Sequence, residues 1–489
     1  MLRAVLSFYL CLCFRAILVV GNFVSVKGGA FSLNDSPFFF YGTNVFWLST
    51  LKDDELETAF AKVSASGVKV VRTWAFDDVT KKPSSGNYFQ VLHNGMSIIN
   101  KGHNGLQRLD KIVATAEMFG IKLLLTLTNN WNPERANPNG GDTADDLPRG
   151  YLSNDYGGMD VYVREFGKTK QHDEFYTNPK IISAFKSYIS AVVTRYANNP
   201  TIFGWEIAND PRCSSTLPAS SKCTTTTITE WAADIAKYIK HLDKQHLVTA
   251  GDNGFYCTAP SCHKKFAKKG TKSPLSGIAF DGSSGVDTED IMSAPCIDFG
   301  SFQLFPDQIQ YFPDPTANTT INAIAGGNKW VAMHSDSASL IGKPSVMTAF
   351  ALVSQENWDF YVPFDQSALT PGGPPGTGGV TTAQHDYTLN AWAISSLSGN
   401  VGGAMEFQWV TGGLSTNLTN GRRDVADVRY NTPNSLSTDL FGIKTDEPAP
   451  EAPPTTPPTT SSDTPPAESS AATSATPSTP PTAPATPPS

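Results

Sequence analysis

The stretch TIFGWEIAN at residues 201–209 is an apolar, strand-like run. To either side of it, the chain alternates such runs with segments of helical periodicity. The other runs are FFFYGTNVF near Phe39, VKVVRTWAF from Val68, IKLLLTLTNNW from Ile121, HLVTAGD from His246, CIDFGSFQLF from Cys296, KPSVMTAF from Lys343 and GAMEFQW from Gly403. Eight parallel strands separated by helices predict an α/β fold, the (β/α)₈ TIM barrel, over residues 22–444.

The helical segments show apolar residues three or four positions apart. The clearest example predicts one buried stripe, made of Ile182, Phe185, Ile189, Val192, Val193 and Tyr196. In a barrel of this kind the chemistry lies at the C-terminal ends of the strands, here called the mouth. The strand ends place there Asn44, Phe46, Trp47, Arg72, Trp74, Asp77, Asn129, Asn130, Trp131, Asn209, Asp210, Asp252, Asn253, Gln303, Phe305, Thr348, Ala349, Phe407 and Trp409. Aromatic rings mixed with planar amides are typical of a cleft that binds sugars.

The overall composition describes a chain with a large core and an acidic surface. Its 489 residues are 40 % hydrophobic, and the formal net charge is -8. An acidic balance argues against nucleic acid or an anionic membrane as a partner. The stretch HKKFAKKGTK at residues 263–272 is the one concentrated basic segment. We interpret it as a solvated lysine loop, the alternative being a patch that contacts an acidic wall polymer.

The two ends of the chain differ from its middle. Residues 1–21 have Arg3 before an apolar run, which predicts a secretory signal peptide and export to the cell exterior or wall, with no membrane contact after its removal. Residues 445–489 are rich in Pro, Ser, Thr and Ala and lack aromatic residues, which predicts a disordered, O-glycosylated tail. Sequons at Asn34, Asn318 and Asn417 fit the same compartment.

Export makes disulfides the natural state of the cysteines that follow the signal peptide. Short loops suggest Cys213 with Cys223 and Cys257 with Cys262, which would leave Cys296 unpaired, although sequence leaves the pairing open. These cysteines lack partners at zinc-ligand spacing, so we expect neither a metal nor a cofactor.

A family resemblance is carried by YGTNVFWLSTL, VVRTWAFDDV, LTNNW, NDYGGMDVYV, HDEFYTNPKI, WEIANDPRC, HLVTAGDNGFY and IDFGSFQLFP. In this order, over residues 23–442, they resemble fungal endo-β-1,4-mannanases of glycoside hydrolase family 5. The resemblance implies a monomer that acts on β-mannan with two glutamates, in NEP on strand four and in EE before Phe or Tyr and Gly on strand seven. A retaining pair of this kind sits about 5 to 5.5 Å apart, one as acid/base and one as nucleophile.

The chain departs from that pattern at both glutamates. Asp210 stands at the acid/base position in NDP, and Ala349 stands at the nucleophile position in TAFA. Gln303 and Phe305 replace the His and Tyr of FHxYP, and Phe407 replaces the Trp of FWQW at the sugar floor. The residues expected to contact substrate are Trp47, Arg72, Trp131 and Asn209, which match the family, together with Gln303 and Phe407 at the altered positions. A segment unlike the family, residues 132–153, predicts a long loop at the mouth, either a tolerated insertion or a lid or added sugar contact.

Three functional hypotheses follow from these departures. The first is a secreted mannanase-like barrel that binds β-mannan or a related wall polysaccharide with little or no hydrolysis. The second is an active endo-β-1,4-mannanase with a rewired site, for which Glu406 is the candidate carboxylate, or an inverting variant that uses Asp252 or Asp77 as base. The third is a structural wall glycoprotein retained for its tail.

Two glutamates outside the family positions also receive predictions. Glu406 precedes Phe407 and should face away from the mouth if Phe407 faces into it, because neighbouring residues on a strand point to opposite faces. Glu206 is interpreted as a buried structural carboxylate below the site, held by a partner such as Arg72.

Overall fold

The structure is a computed structural model that describes residues 23–132, 153–267, 275–309, 311–312, 319–355, 380–397 and 399–409. The predicted signal peptide, the tail, most of the segment 132–153, and the sequons at Asn318 and Asn417 lie outside the described residues. Asn34 is exposed in the turn of a hairpin.

The strands, in chain order, are β1 (Ser25–Lys27), β2 (Ala30–Leu33), β3 (Ser36–Pro37), β4 (Phe40–Asn44), β5 (Val70–Trp74), β6 (Asp78–Val79), β7 (Gln90–His93), β8 (Met96–Ile99), β9 (Lys122–Thr126), β10 (Ile202–Glu206), β11 (Leu247–Thr249), β12 (Gly300–Leu304), β13 (Ser345–Phe350) and β14 (Val401–Glu406). The α-helices are α1 (Asp53–Ala65), α2 (Leu106–Met118), α3 (Met159–Phe166), α4 (Glu174–Thr177), α5 (Pro179–Tyr196), α6 (Thr225–Leu242), α7 (Thr288–Ser293), α8 (Thr319–Ile341) and α9 (Thr382–Leu397).

A parallel sheet of eight strands forms the barrel, in the order β11-β10-β9-β5-β4-β14-β13-β12. Each of the eight predicted runs contributes one of these strands, so the predicted TIM barrel is confirmed. The outermost strands, β11 and β12, are linked by backbone bonds from Asp298 N to Val248 O (2.8 Å) and from Gln303 N to Asn253 O (3.2 Å). These bonds bring the two edges of the sheet together.

The N-terminal end of the barrel is closed by an apolar layer on the inward faces of the strands. Its buried members are Val24, Phe31, Phe40, Val70, Leu124, Phe203, Leu247, Phe299, Val346 and Met405. Phe40 and Phe203 meet edge to face at 5.1 Å between ring centroids. Gly403 makes room for this layer, because a Cβ there would lie 2.3 Å from the Phe40 ring. The mouth at the other end is therefore the open one.

Helix α5 shows how the outer layer packs. Asn178 caps it by accepting a hydrogen bond from Lys180 N at 3.0 Å, and Pro179 begins the first turn. The buried stripe contains Phe185, Ile189, Val192, Val193 and Tyr196 as predicted, together with Ile181 and Tyr188. The assignment of Ile182 to that stripe was wrong: this residue is only partly buried, because the helix turns its neighbour Ile181 inward.

The cysteines and the basic stretch can now be placed. Disulfides join Cys213 to Cys223 and Cys257 to Cys262, and Cys296 is free. Lys264 departs from the predicted solvated loop: its Nζ is largely buried and lies 2.8 Å from Glu289 and 3.1 Å from Asp287. Within the described part of the chain, no helix has the length and apolar character needed to span a bilayer. The same residues contain no group of side chains arranged to hold a metal ion.

Candidate active site

The floor of the mouth is a buried ion pair between strands β5 and β10. Arg72 Nε donates a hydrogen bond to Oε2 of Glu206 at 2.7 Å, and both side chains are shielded from solvent. Thr126 Oγ1 donates to the same carboxylate oxygen. Glu206 therefore has the predicted structural role, because a buried guanidinium without a partner would be strongly destabilising.

Arg72 also orients the amides that lie above it. Its Nη1 donates to Asn44 Oδ1 at 2.9 Å, and its Nη2 donates to Asn209 Oδ1 at 2.8 Å. Gln303 Nε2 donates to the same Asn209 oxygen at 3.1 Å, and Asn209 Nδ2 donates to Asn129 Oδ1 at 2.8 Å. The structure thus brings three of the predicted site residues, Arg72, Asn209 and Gln303, into one network.

Asp210 follows this network and is held from several sides. Its backbone has a left-handed conformation, with φ of 56°, which short polar residues tolerate. Trp131 Nε1 donates to its Oδ2 at 2.8 Å, and Arg212 Nε donates to its Oδ1 at 2.8 Å. Only 4 % of the residue is exposed. Both carboxyl oxygens of Asp210 therefore accept hydrogen bonds from groups that can only donate.

Arg212 lies between two aromatic rings beside Asp210. Its Cζ is 5.2 Å from the ring centroid of Trp131 and 4.9 Å from that of Phe255. Cation–π contacts of this kind fix the plane of a guanidinium. The indole of Trp131 therefore packs against Arg212 while its Nε1 bonds to Asp210.

The backbone of Arg212 is also held in place by hydrogen bonds. Asn130 Oδ1 accepts from Arg212 N at 3.1 Å, and Tyr176 donates its hydroxyl hydrogen to Arg212 O at 2.8 Å. Behind Asn130 lies His172, whose Nε2 is 2.8 Å from Asn130 Oδ1 and whose Nδ1 is 2.7 Å from Asp160. The sequence interpretation gave Arg212, Tyr176, His172 and Asp160 no role, although the motifs WEIANDPRC, HDEFYTNPKI and NDYGGMDVYV contain them.

Ala349 lies at the end of β13, opposite Gln303 of β12. The pairing of the two strands shifts between Phe302 and Gln303, so Phe302 faces Met347 and Gln303 faces Ala349. Such an irregularity re-aims the residues that follow it. Ala349 is buried, and its side chain is a methyl group, which carries neither a charge nor a nucleophilic atom.

Phe407 contributes an apolar wall at the end of β14. Its ring is stacked on Phe46 at 6.2 Å between centroids, and it meets Phe305 edge to face at 5.8 Å. Phe305 and Phe407, which replace the family's Tyr and Trp, therefore pack against each other. An aromatic surface persists next to the polar network.

Comparison with known proteins identifies the family. A model described as glycoside hydrolase family 5, β-mannosidase-like, matches residues 21–275. The chain belongs to glycoside hydrolase family 5. A mannan endo-1,4-β-mannosidase A from Aspergillus aculeatus is 34 % identical over 380 residues, which cover 77 % of this chain and 85 % of the relative. A mannan endo-1,4-β-mannosidase F from Aspergillus fumigatus is 36 % identical over 335 residues, covering 68 % and 64 % of the two chains.

Solved structures agree with this family assignment. The crystal structure of an endo-1,4-β-mannanase from Rhizomucor miehei has a TM-score of 0.62 and 28 % identity, and the match covers 86 % of this chain and 99 % of that one. The endo-1,4-β-D-mannanase from Thermotoga petrophila has a TM-score of 0.56 and 26 % identity, covering 78 % and 91 %.

Trp47 is another residue that the glycoside hydrolase family 5 motifs predict to contact substrate. It is 1 % exposed and packs in the hydrophobic core, where it precedes a 3₁₀ turn at Leu48–Thr50. Its contact with substrate stays a prediction.

Glu406 is separated from the mouth by its own strand. It pairs with Thr43 of β4, and its Oε2 accepts a hydrogen bond from the Tyr41 hydroxyl. Met405, the preceding residue, belongs to the inner layer of the barrel, and Asp386 of helix α9 acts electrostatically on Glu406. Burial raises the pKa of Glu406 to about 7. The carboxylate therefore lies in the layer between strands and helices, away from Phe407, in agreement with the predicted orientation.

Asp252, the candidate base of an inverting reaction, also accepts hydrogen bonds on both of its carboxylate oxygens. Its Oδ1 accepts from Ser301 Oγ at 3.2 Å, and its Oδ2 accepts from Gly254 N at 3.1 Å. Burial raises its pKa to about 7. Asp77, the other candidate, is buried as well.

Proposed function

We propose that this glycoside hydrolase family 5 barrel binds β-mannan or a related polysaccharide with little or no hydrolysis. The observation that carries the proposal is the environment of Asp210. Trp131 and Arg212 each donate to one of its carboxylate oxygens. A general acid must place a proton on the leaving-group oxygen, whereas both Asp210 oxygens already accept hydrogen bonds from protein groups.

The position of Ala349 supports the same conclusion. A retaining mechanism forms a glycosyl-enzyme bond to a carboxylate, and a methyl group cannot form that bond. The neighbouring Gln303 side chain already donates to Asn209. No other carboxylate among the described residues is bonded to this part of the network, and Glu406 lies against Tyr41.

The binding function is supported by what the mouth retains. Asn209 is partly exposed above the Arg72 ion pair, and the amides around it are held in fixed orientations. Planar amides and aromatic rings together suit sugar hydroxyls and ring faces. Mannan is proposed as the polysaccharide because the similar proteins are mannan endo-1,4-β-mannosidases. We also propose that the protein is exported and that it is a monomer. The two disulfides support export, because disulfides persist in an oxidising compartment.

The experiment is a paired assay on the purified full chain. Reducing-end release from glucomannan and galactomannan is followed beside an Asp210→Ala control, and binding to the same polymers is measured in parallel. We expect binding without release. Release that disappears in Asp210→Ala would refute the proposal and support a rewired hydrolase. Absence of both binding and release would refute it in favour of a structural wall glycoprotein.

A further inference from the structure

His172 is a buried imidazole whose two nitrogens both face hydrogen-bond acceptors. Its Nδ1 is 2.7 Å from Asp160 Oδ1, and its Nε2 is 2.8 Å from Asn130 Oδ1. The side chain is shielded from solvent. A neutral imidazole has one donor and one acceptor nitrogen, whereas the doubly protonated imidazolium has two donors. The atoms that face the ring therefore indicate which form is present.

The Asn130 amide has its oxygen toward His172. Arg212 N, which can only donate, is 3.1 Å from Asn130 Oδ1, and Asn130 Nδ2 donates to Ser214 O at 3.2 Å. A flipped amide would place donor against donor at Arg212 N and acceptor against acceptor at Ser214 O. Nε2 of His172 must therefore donate to Asn130 Oδ1, because an unprotonated Nε2 would place its lone pair against this oxygen.

Asp160 accepts the hydrogen bond on the other side of the ring. Ser215 Oγ lies 2.9 Å from Nδ1 of His172 and donates to the same Asp160 oxygen, while Thr216 Oγ1 donates to Asp160 Oδ2. Burial by itself would raise the pKa of Asp160, but the charge and hydrogen bond of His172, together with the two hydroxyl donors, hold that pKa below its usual value. A carboxylate that stays ionised leaves the proton on Nδ1. The pair is therefore an imidazolium and a carboxylate.

The other titratable groups near the imidazole favour the same charge state. Tyr176 of α4, whose hydroxyl is 3.4 Å from Nε2, stays neutral, because burial raises its pKa well above the usual value. Asp160, Asp173 and Asp210 all act electrostatically on this hydroxyl. The charge of Asp210 is balanced by Arg212. The carboxylates of Asp160 and Asp173 favour a cation on the imidazole.

We propose that His172 is a positioning residue that is doubly protonated in the folded protein and fixes Arg212 through Asn130. Asn130 Oδ1 accepts from His172 Nε2 and from Arg212 N, so the proton on Nε2 keeps the amide in the orientation that Arg212 N requires. Arg212 in turn donates to Asp210 with its side chain. Loss of the Nε2 proton would favour the flipped amide, which cannot accept from Arg212 N. Only the consequence for polysaccharide binding rests on the proposed function.

A second buried histidine provides a matched control at the opposite end of the barrel. His246 Nδ1 is 2.5 Å from Asp243 Oδ2, and its Nε2 is 2.9 Å from Asn199 O. A carbonyl oxygen only accepts, so this ring has the same pair of donors. His246 immediately precedes β11, at the N-terminal end of that strand, whereas the mouth lies at the C-terminal ends. Replacing Asp243 therefore perturbs an equivalent pair at the end of the barrel away from Arg212.

The test is nitrogen NMR of the full chain, isotopically labelled at histidine and arginine. Imidazole chemical shifts report whether each ring nitrogen carries a proton, and exchange of the Arg212 Nε proton with water reports how firmly the guanidinium is held. The variants are Asp160→Asn and Asn130→Ala, with Asp243→Asn as the control. The loss of a signal in His172→Gln or Arg212→Lys assigns that signal.

We expect both ring nitrogens of His172 to carry a proton in wild type at neutral pH. Asp160→Asn should leave His172 with one proton and accelerate exchange at Arg212 Nε about 10-fold, the equivalent of about one hydrogen bond. Asn130→Ala should accelerate the same exchange while His172 keeps both protons, because Asp160 is still ionised. Asp243→Asn should change neither the protons of His172 nor the exchange at Arg212.

Two results would overturn the inference. One is a wild-type His172 that carries a single proton, a measurement that needs no variant. The other is unchanged exchange at Arg212 Nε in both Asp160→Asn and Asn130→Ala. If these variants also unfolded at a lower temperature than wild type, the buried pair would have a structural role only.

Calorimetric titration with mannohexaose connects the inference to the proposed function. Asp160→Asn should bind this oligosaccharide more weakly than wild type and than Asp243→Asn. Equal affinity of the three proteins would overturn the extension of the positioning role to binding. A wild-type chain that binds neither mannohexaose nor the polymers would overturn the proposed function alone, because the NMR result requires no ligand.

Discussion

Arg212 Nε lies 2.8 Å from the carboxylate oxygen Oδ1 of Asp210, two positions earlier in the chain. The left-handed backbone at Asp210 turns the chain so that this short-range pair can form. The pair joins the acid/base position to the aromatic rings of Trp131 and Phe255. The Asp210 carboxylate thus anchors the Arg212 guanidinium between the two rings at the mouth of the barrel.

The first prediction concerns this anchor. Arg212→Ala should lower the free energy of unfolding by about 2 to 3 kcal/mol, because it leaves a buried carboxylate without its cation. Arg195→Ala is the control, because it breaks an exposed pair with Asp110 and should cost no more than about 1 kcal/mol. Urea denaturation of both variants checks the difference. Equal losses would mean that the Asp210 carboxylate is solvated in the native protein.

The second prediction concerns the floor of the mouth. Glu206→Gln should destabilise the chain by about 3 kcal/mol, because Arg72 then lacks a counter-charge where neither side chain reaches solvent. Asp234→Asn removes the exposed partner of Lys186 and should change stability by less than about 1 kcal/mol. If Glu206→Gln unfolds at the same urea concentration as wild type, the structural role assigned to Glu206 is wrong.

The third prediction is a pH dependence that originates at Glu406. Burial raises its pKa from 4.5 to about 7. Between these two values the unfolded chain releases the proton and the folded chain keeps it, so stability falls as pH rises from about 4.5 to about 7. A glutamine does not titrate. Over this pH range Glu406→Gln should therefore lose less stability than wild type, by an amount on the order of 2 kcal/mol.

Melting temperatures of wild type and Glu406→Gln at several pH values check this dependence. Burial also raises the pKa values of Asp78 and Asp252 to about 7. These two carboxyls therefore lower the stability of both proteins as pH rises over the same range. The two curves should therefore diverge without the variant becoming independent of pH. Parallel curves across this range would show that Glu406 titrates normally in the folded state.

Much of the fold could be predicted from sequence because parallel strands buried on both faces appear as continuous apolar runs. All eight barrel strands were predicted in this way, from β4 at Phe40–Asn44 to β14 at Val401–Glu406. The stripe of α5 was predicted with one error, at Ile182, because apolar periodicity alone does not separate two adjacent isoleucines.

The candidate site was less accessible to sequence reasoning. Glu206 was interpreted as a buried structural carboxylate held by a partner such as Arg72, and the structure shows that contact across the intervening strand β9. The contact between Arg212 and Asp210 was missed, because it depends on a positive φ that nothing in the sequence demands. The contact of Trp47 with substrate stays a prediction, because burial alone does not tell which way its ring faces.

The proposed function holds that hydrolysis was lost through the replacements at positions 210 and 349 while polysaccharide binding was kept. The double variant Asp210→Glu with Ala349→Glu tests this proposal most directly. Reducing-end release from galactomannan is measured for wild type, both single variants and the double variant. We expect the double variant alone to release reducing ends, because a retaining mechanism requires both carboxylates. Release by wild type, or continued absence of release from a double variant that still binds the polymer, would contradict it.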